Sequence, residues 1–285
     1  METNHGGIFI TGASSGIGKA CARRLTEYGY TVFAGVRTEA DAELLKKAAN
    51  DSKNLIPVII DIVDTGQIKA AEKQIIKALG NKPFYGLINN AGIGIHGPLE
   101  FIKKEDLRYQ MEVNVTAHVT VTQAFLPHLR KNKGRIINIG SVSGFFAFPM
   151  MGPYCASKFA LEAVSDVFRR ELMPWGIKVA LIEPGPVSTK IWGKGIDQSV
   201  QLSENIPQAM ALYKSYFDRA MELAKDSEKG AKSPEIVVKA VMHALRAKKP
   251  KIRYLVGSSA WPQKIISMLP GSIQDRIVAY LFRNN

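Results

Sequence analysis

From the first residues to about residue 185, short β-branched runs alternate with stretches whose apolar positions recur at helical spacing. The pattern predicts strands over 7–11, 31–36, 57–61, 86–90, 135–139 and 177–183. Between them it predicts helices over 17–28, 40–50, 67–79, 104–129 and 153–172. Pro153 stands in the first turn of the last of these, where a missing N–H is tolerated. Strands that alternate with helices need crossover connections, which implies a parallel sheet covered on both faces. The nearly continuous apolar run Pro57, Val58, Ile59 and Ile60 fits such two-sided burial.

After Pro184 and Gly185 the pattern loosens into a loop at 193–199, helices over 207–224 and 234–247, and a seventh strand over 253–256. The end, 261–282, is amphipathic and broken at Pro270 and Gly271. No proline- or serine-rich linker and no fixed-period repeat divides the chain. The expectation is a single α/β domain over 1–285, with 190–230 lying over a substrate and 257–285 as an amphipathic C-terminal extension.

Composition changes this picture little. The 285 residues are 46% hydrophobic and 22% charged, as in a soluble globular protein. The two cysteines cannot form a disulfide framework, which points to a reducing compartment. The longest apolar runs are strand-sized, and the first, Ile8 to Ile10, leads directly into Thr11 and Gly12. A cytoplasmic chain without a membrane span is therefore expected. The net charge of +13 gathers in blocks such as Arg130, Lys131, Lys133 and Arg135, and Arg246, Lys248, Lys249, Lys251 and Arg253. None is interleaved with aromatics, so these blocks read as solvated surface, and nucleic acid is not expected as a partner.

The chemistry starts at Thr11, Gly12, Ala13, Ser14, Ser15, Gly16, Ile17 and Gly18, between the first strand and the first helix. Glycines there let the backbone turn tightly and approach a pyrophosphate, whose charge is favoured at a helix N-terminus. The spacing is G-x-x-x-G-x-G. Farther on, Tyr154 and Lys158 are four residues apart and share a helix face. A tyrosine titrates near pH ~10, and lowering that by about 2–3 units takes roughly 3–4 kcal/mol. An ammonium ~4 Å away supplies about 4 kcal/mol at an effective dielectric of ~20, so the lysine is expected to make the phenol's proton mobile. Other chemistries fare worse. His5, His96, His118, His128 and His243 have no metal-ligand spacing, and Val142 occupies the nucleophile position between Gly140 and Gly144. His96 follows the fourth strand in a loop that could border substrate, but a surface role is the expected one.

The glycine spacing, followed by Asn89, Asn90, Ala91 and Gly92, then Asn114, Ser141, Tyr154, Lys158, Pro184 and Gly185, resembles the short-chain dehydrogenase/reductase family over roughly residues 6–190. The resemblance implies a Rossmann-type domain, a doubly wound and mostly parallel seven-stranded sheet in the order 3-2-1-4-5-6-7 with helices on both faces. It also implies a nicotinamide dinucleotide at the C-terminal strand ends. Carried over residue by residue, the cofactor would meet Gly12, Ser14, Ser15, Gly16, Ile17 and Gly18 at the phosphates. Asp61 and Ile62 would meet the adenine, and Asn89, Ala91 and Gly92 the adenosine ribose, with Asn89 also taking a structural share in holding the central sheet. Tyr154, Lys158, Pro184, Gly185, Val187 and Thr189 would lie at the nicotinamide end. Asp61 reads equally well as a turn former.

An NAD-selecting site places a carboxylate about 20 residues past the glycines, where it would repel a 2′-phosphate. Val36 stands where the family's acidic residue usually does, and Arg37 offers a planar fork to a phosphate. NADP(H) is therefore favoured over NAD(H), although Glu39 and Asp41 lie close by and Ser15 lacks the basic side chain of many NADP-type relatives. In the catalytic set the resemblance gives Tyr154 the proton, Lys158 the ribose, Ser141 the substrate oxygen (with Ser143 as runner-up), and Asn114 a water leading to Lys158.

The substrate side is loosest. Phe145, Phe146, Phe148, Met150, Met151, Ile191 and Trp192 either build an apolar wall or pack the core, and Phe148, Ile191 and Trp192 are the expected contacts beside Ser141 and Tyr154. The chain looks most like the hydroxysteroid and retinol dehydrogenase branch, which implies a hydrophobic alcohol or ketone. Family members pair through the helices of 113–129 and 156–172, implying a homodimer or homotetramer. The basic segment before residue 254 and the amphipathic end could rest on an anionic membrane, a peripheral contact, and equally that helix could cover substrate or pack on a second subunit. A non-catalytic nucleotide sensor or scaffold on the same fold is the alternative.

Overall fold

Alternation within each strand sets the two faces of the sheet. In β1 (Gly7–Ile10), Ile8 and Ile10 point into one apolar layer and Phe9 into the other. Our computed structural model describes residues 6–189, 207–257 and 260–283. Within them β1, β2 (Thr31–Val36), β3 (Leu55–Ile59), β4 (Phe84–Asn89), β5 (Arg135–Ile139), β6 (Lys178–Pro184) and β7 (Arg253–Val256) form one sheet in the order 3-2-1-4-5-6-7. Every neighbouring pair is parallel. The connections are α1 (Gly16–Glu27), α2 (Glu39–Ala48), α3 (Thr65–Leu79), α4 (Lys104–Met111), α5 (Ala117–Asn132), α6 (Gly152–Glu171), α7 (Pro207–Lys229) and α8 (Glu235–Arg246). Two further helices, α9 (Ala260–Ser267) and α10 (Gly271–Leu281), follow β7.

One layer joins the sheet to α1 and α8 through Cys21, Leu25, Val237, Val241 and Leu245. The other joins it to α3 and α5, where Phe125 lies between Phe9 and Phe84 at ring distances of 5.1 and 4.9 Å. The loops that follow the C-terminal strand ends therefore share one rim, the place where such sheets bind ligands.

Several expected boundaries move. β3 spans Leu55–Ile59, two residues earlier than expected, because Asp61 forms a turn in which its carboxylate accepts from the Val63 N–H at 3.2 Å. β3 is an edge strand, and Ile59 is 41% exposed, so the continuous apolar run does not report two-sided burial there. The long helix expected over 104–129 is interrupted by a π-helical turn, Glu112–Thr116, and runs on to Asn132. The helix expected to end at residue 224 continues to Lys229. Among the described residues no helix is long and apolar enough to cross a membrane.

Candidate active site

The glycine loop is shaped by contacts that leave no room for side chains. Gly12 has φ +65°, and a Cβ there would stand 2.7 Å from the Ala91 Cα. A Cβ on Gly18 would collide with the Gly12 carbonyl oxygen. Asn90 sews the loops of β1 and β4 together, its Nδ2 donating to the carbonyls of Thr11 and Gly12, both at 2.9 Å. The Ser15 side chain does not cap α1, and no acidic residue occupies its first turn. The leading amides and the positive end of the helix dipole therefore remain for an anion. This donor set and its glycine-lined cradle fit the pyrophosphate of a dinucleotide.

From this loop a cleft runs along the strand ends. It is lined by Gly12, Ser14, Ser15, Gly16, Ile17, Gly18, Arg37, Asp61, Ile62, Ala91, Gly92, Ser141, Phe148, Tyr154, Lys158, Pro184, Gly185, Val187 and Thr189, all sites singled out by the sequence. Thr189 reaches back to the glycine loop, where a Cβ on Gly16 would stand 3.0 Å from its Cγ2. Arg37 is exposed at the end of β2. Asp41, which competes with it in the sequence, is drawn into the cap of α2, accepting from the Thr38 hydroxyl at 3.0 Å. Neither Asp41 nor Glu39 lines the cleft.

Two expected residues lie behind the wall. Asn89 is 1% exposed and donates to Thr122 Oγ1 at 3.0 Å and Asn138 Oδ1 at 2.9 Å, so it ties β4 to α5 and β5. Its neighbour Asn90 lines the cleft in its place. Asn114 sits in the π-helical turn, fully buried, and does not reach the cleft either. Its Oδ1 accepts from the Ile93 N–H at 2.9 Å, and its Nδ2 donates to the Ile93 carbonyl and Ser157 Oγ, both at 3.0 Å. Both amide hydrogens are thereby committed to protein partners. Ile191 and Trp192 lie outside the described residues.

Three groups meet at the centre. Ser141 begins the turn after β5, where its hydroxyl accepts from the Ser143 N–H at 3.1 Å, and it lines the cleft beside Tyr154. Lys158, one turn along α6, is 5% exposed, donates to the Ile139 carbonyl at 2.8 Å and lies 5.7 Å from the Tyr154 ring centroid. The electrostatics correct the expected lowering of the phenol. Burial pushes Tyr154 up to about 12, against a smaller lowering by its bond to Ser141. Burial also pulls Lys158 down to about 8. The ammonium is spent on a carbonyl beside the ring, and desolvation, which favours the neutral form of each group, outweighs it. Beneath them His118 gives its Nε2 to the Ala91 carbonyl at 2.7 Å, while its Nδ1 is buried without a partner. Burial and the Lys158 charge hold its pKa down to about 4.

The other half of the cleft is apolar. Phe146, Phe148, Met150 and Met151 line it as expected, whereas Phe145 turns away beneath Lys264, whose Nζ is 4.4 Å from its ring centroid. His96, read as a surface residue, borders the cleft with its ring centroid 6.1 Å from that of Tyr154. The far wall comes from Phe217 and Met221 of α7, inside the 190–230 segment expected to lie over a substrate, and from Ile266 of α9 and Ile277 and Leu281 of α10, which the sequence did not single out residue by residue. The amphipathic pattern of those helices was visible, but not what their apolar faces cover.

The profile of the family described as short chain dehydrogenase matches residues 7–199. An NADPH-dependent 3-dehydrocapnine reductase of Ornithobacterium rhinotracheale is 36% identical, over 94% of this chain and 94% of that protein. Retinol dehydrogenase 16 of Mus musculus is 36% identical, over 95% of this chain and 87% of its own. Among solved structures, a short chain dehydrogenase from Burkholderia cenocepacia in complex with NADP superposes with a TM-score of 0.70 at 27% identity, covering 98% of each chain.

Proposed function

The chain belongs to the short-chain dehydrogenase family, and from that premise we propose that it interconverts a bulky apolar alcohol and its ketone or aldehyde with NADP(H). The observation that carries this reading is the meeting of Tyr154, Ser141 and Lys158 at the junction of a glycine-lined cradle and an apolar wall. When bound, the nicotinamide ring supplies or accepts the hydride. Tyr154 gives its proton to the substrate oxygen in reduction and takes it back in oxidation. Ser141 holds that oxygen, and Lys158 supplies positive charge beside the phenol. Acid/base work of this kind contributes roughly 10²- to 10⁴-fold. Burial keeps the phenol protonated at neutral pH, the form that donates to a carbonyl oxygen in reduction.

NADP(H) preference is supported by Arg37 beside an apolar Val36 and by the capping role of Asp41. The NADPH dependence in the name of the Ornithobacterium relative agrees with it. Asn114 is assigned to fixing the Gly92–Ile93 wall, through which it shapes the nicotinamide end. α7 belongs to the substrate lid. Exposed Phe159 and Val167 on α6 support pairing of subunits through α5 and α6. The test is a panel of apolar ketones and aldehydes followed by reduced-nicotinamide absorbance with NADPH and NADH. Turnover of polar sugars or hydroxy acids in preference to apolar carbonyls overturns the substrate class.

A further inference from the structure

Four residues past Lys158, on the same face of α6, Glu162 meets a second carboxyl. Glu183 comes from β6, next to the Pro184–Gly185 turn, and its side chain is 3% exposed, while that of Glu162 is 15% exposed. The two carboxyl groups are within hydrogen-bonding reach of one another. One oxygen of each, Glu162 Oε1 and Glu183 Oε1, is buried without any donor. Two ionised carboxylates cannot satisfy each other, because neither has a hydrogen to give. A single proton between them satisfies both.

The surrounding charges say which residue keeps it. Arg253 of β7 donates to Glu162 Oε2 at 2.9 Å and reaches Asp166 at 3.2 Å, but stands 3.9 Å from Glu183. Lys264 of α9 adds positive charge from the other side and acts on both carboxyls. Burial raises both groups, the Arg253 bond pulls Glu162 back, and the Glu162 charge drives Glu183 further up, to about 7. Glu162 also lies under the turn that carries Ser141, since a Cβ on Gly144 would stand 3.1 Å from its Oε1. Its negative charge favours the ammonium of Lys158.

We propose that Glu162 and Glu183 hold one proton between them, carried on Glu183, and that the Glu162 carboxylate so maintained is a positioning residue supporting the Lys158 ammonium from one helical turn away. This rests on the role given to Lys158 above, but its test does not need turnover. In an NMR titration of the Lys158 Cε resonance, the wild-type midpoint falls near 8. In E162Q the midpoint drops by about one unit, a tenfold loss of proton affinity. In E183Q it stays in place, because the charge that acts on the Lys158 ammonium is that of Glu162 and not of Glu183. An equal midpoint in E162Q and wild type overturns the proposal, as does a drop in E183Q as large as that in E162Q. Infrared spectra of the wild type give a reading independent of any variant. They should show a protonated-carboxyl stretch at pH 6 that disappears by about pH 8, and its absence at pH 6 overturns the shared proton. A protein that passes both tests yet reduces no carbonyl would overturn the proposed reaction and leave the pair standing.

Discussion

The two halves of the cleft are built by different means. At the glycine loop the wall is main chain: Gly12 and Gly18 bring backbone against backbone, and α1 offers uncapped amides. At the other end the wall is side chain, contributed by Phe148, Met150, Phe217, Met221, Ile266 and Leu281 from segments far apart in sequence. A wall of backbone tolerates little change, because an added methyl collides with atoms that cannot move aside. A wall of Met, Leu and Phe repacks readily, which lets the same catalytic frame accept new substrates. Tyr154, Lys158 and Ser141 stand at the seam.

Substitutions can break this division or sharpen it. The largest effect belongs to the seam: Y154F should lower kcat by roughly 10²- to 10⁴-fold while leaving the NADPH Kd, read by fluorescence titration, near wild type. Beneath the seam, His118 is neutral in the folded protein and titrates about 2.5 units below its ordinary 6.5. The unfolded chain therefore binds the extra proton first, and stability present above pH 6.5 is lost as the pH falls towards 4. The total is about 3 kcal/mol, visible as a falling urea midpoint that flattens in H118Q. In the backbone half, R37A should weaken NADPH about 10- to 100-fold by loss of a charge-assisted contact worth about 1.5–3 kcal/mol, with NADH unaffected. In the side-chain half, M221A should change kcat/KM for bulky carbonyls by about tenfold or less and leave both cofactors alone. If R37A altered carbonyl selectivity, or M221A the cofactor Kd, the two halves would not be separable.

The legible parts were those whose chemistry is local. Short β-branched runs set between period-3.6 stretches placed the seven strands within a few residues, because a strand covered on both faces reads as a continuous apolar run and a helix as a repeating stripe. The glycine loop and the Tyr154–Lys158 pair were legible because a turn and a helix face are fixed by neighbours in sequence. The side chains of Asn89 and Asn114 were less legible for the opposite reason. Each amide can serve a ligand or the protein, and here partners on other elements, Thr122 and Asn138 for one, Ile93 and Ser157 for the other, claim it. The depth of burial, which pushes the Tyr154 phenol upward, was not legible either.

By itself, then, the order of residues determined the alternating parallel architecture, the glycine turn after the first strand and the shared helix face of Tyr154 and Lys158, since each follows from hydrogen bonds and side-chain spacing within a few turns of chain. Which carboxyls meet behind Lys158, which helices close the apolar wall and how far each buried group is shifted were decided only on folding. Desolvation and charge pairing act between atoms close in space, and the distance from Glu162 to Glu183 or from Met150 to Leu281 is not written in any stretch of sequence.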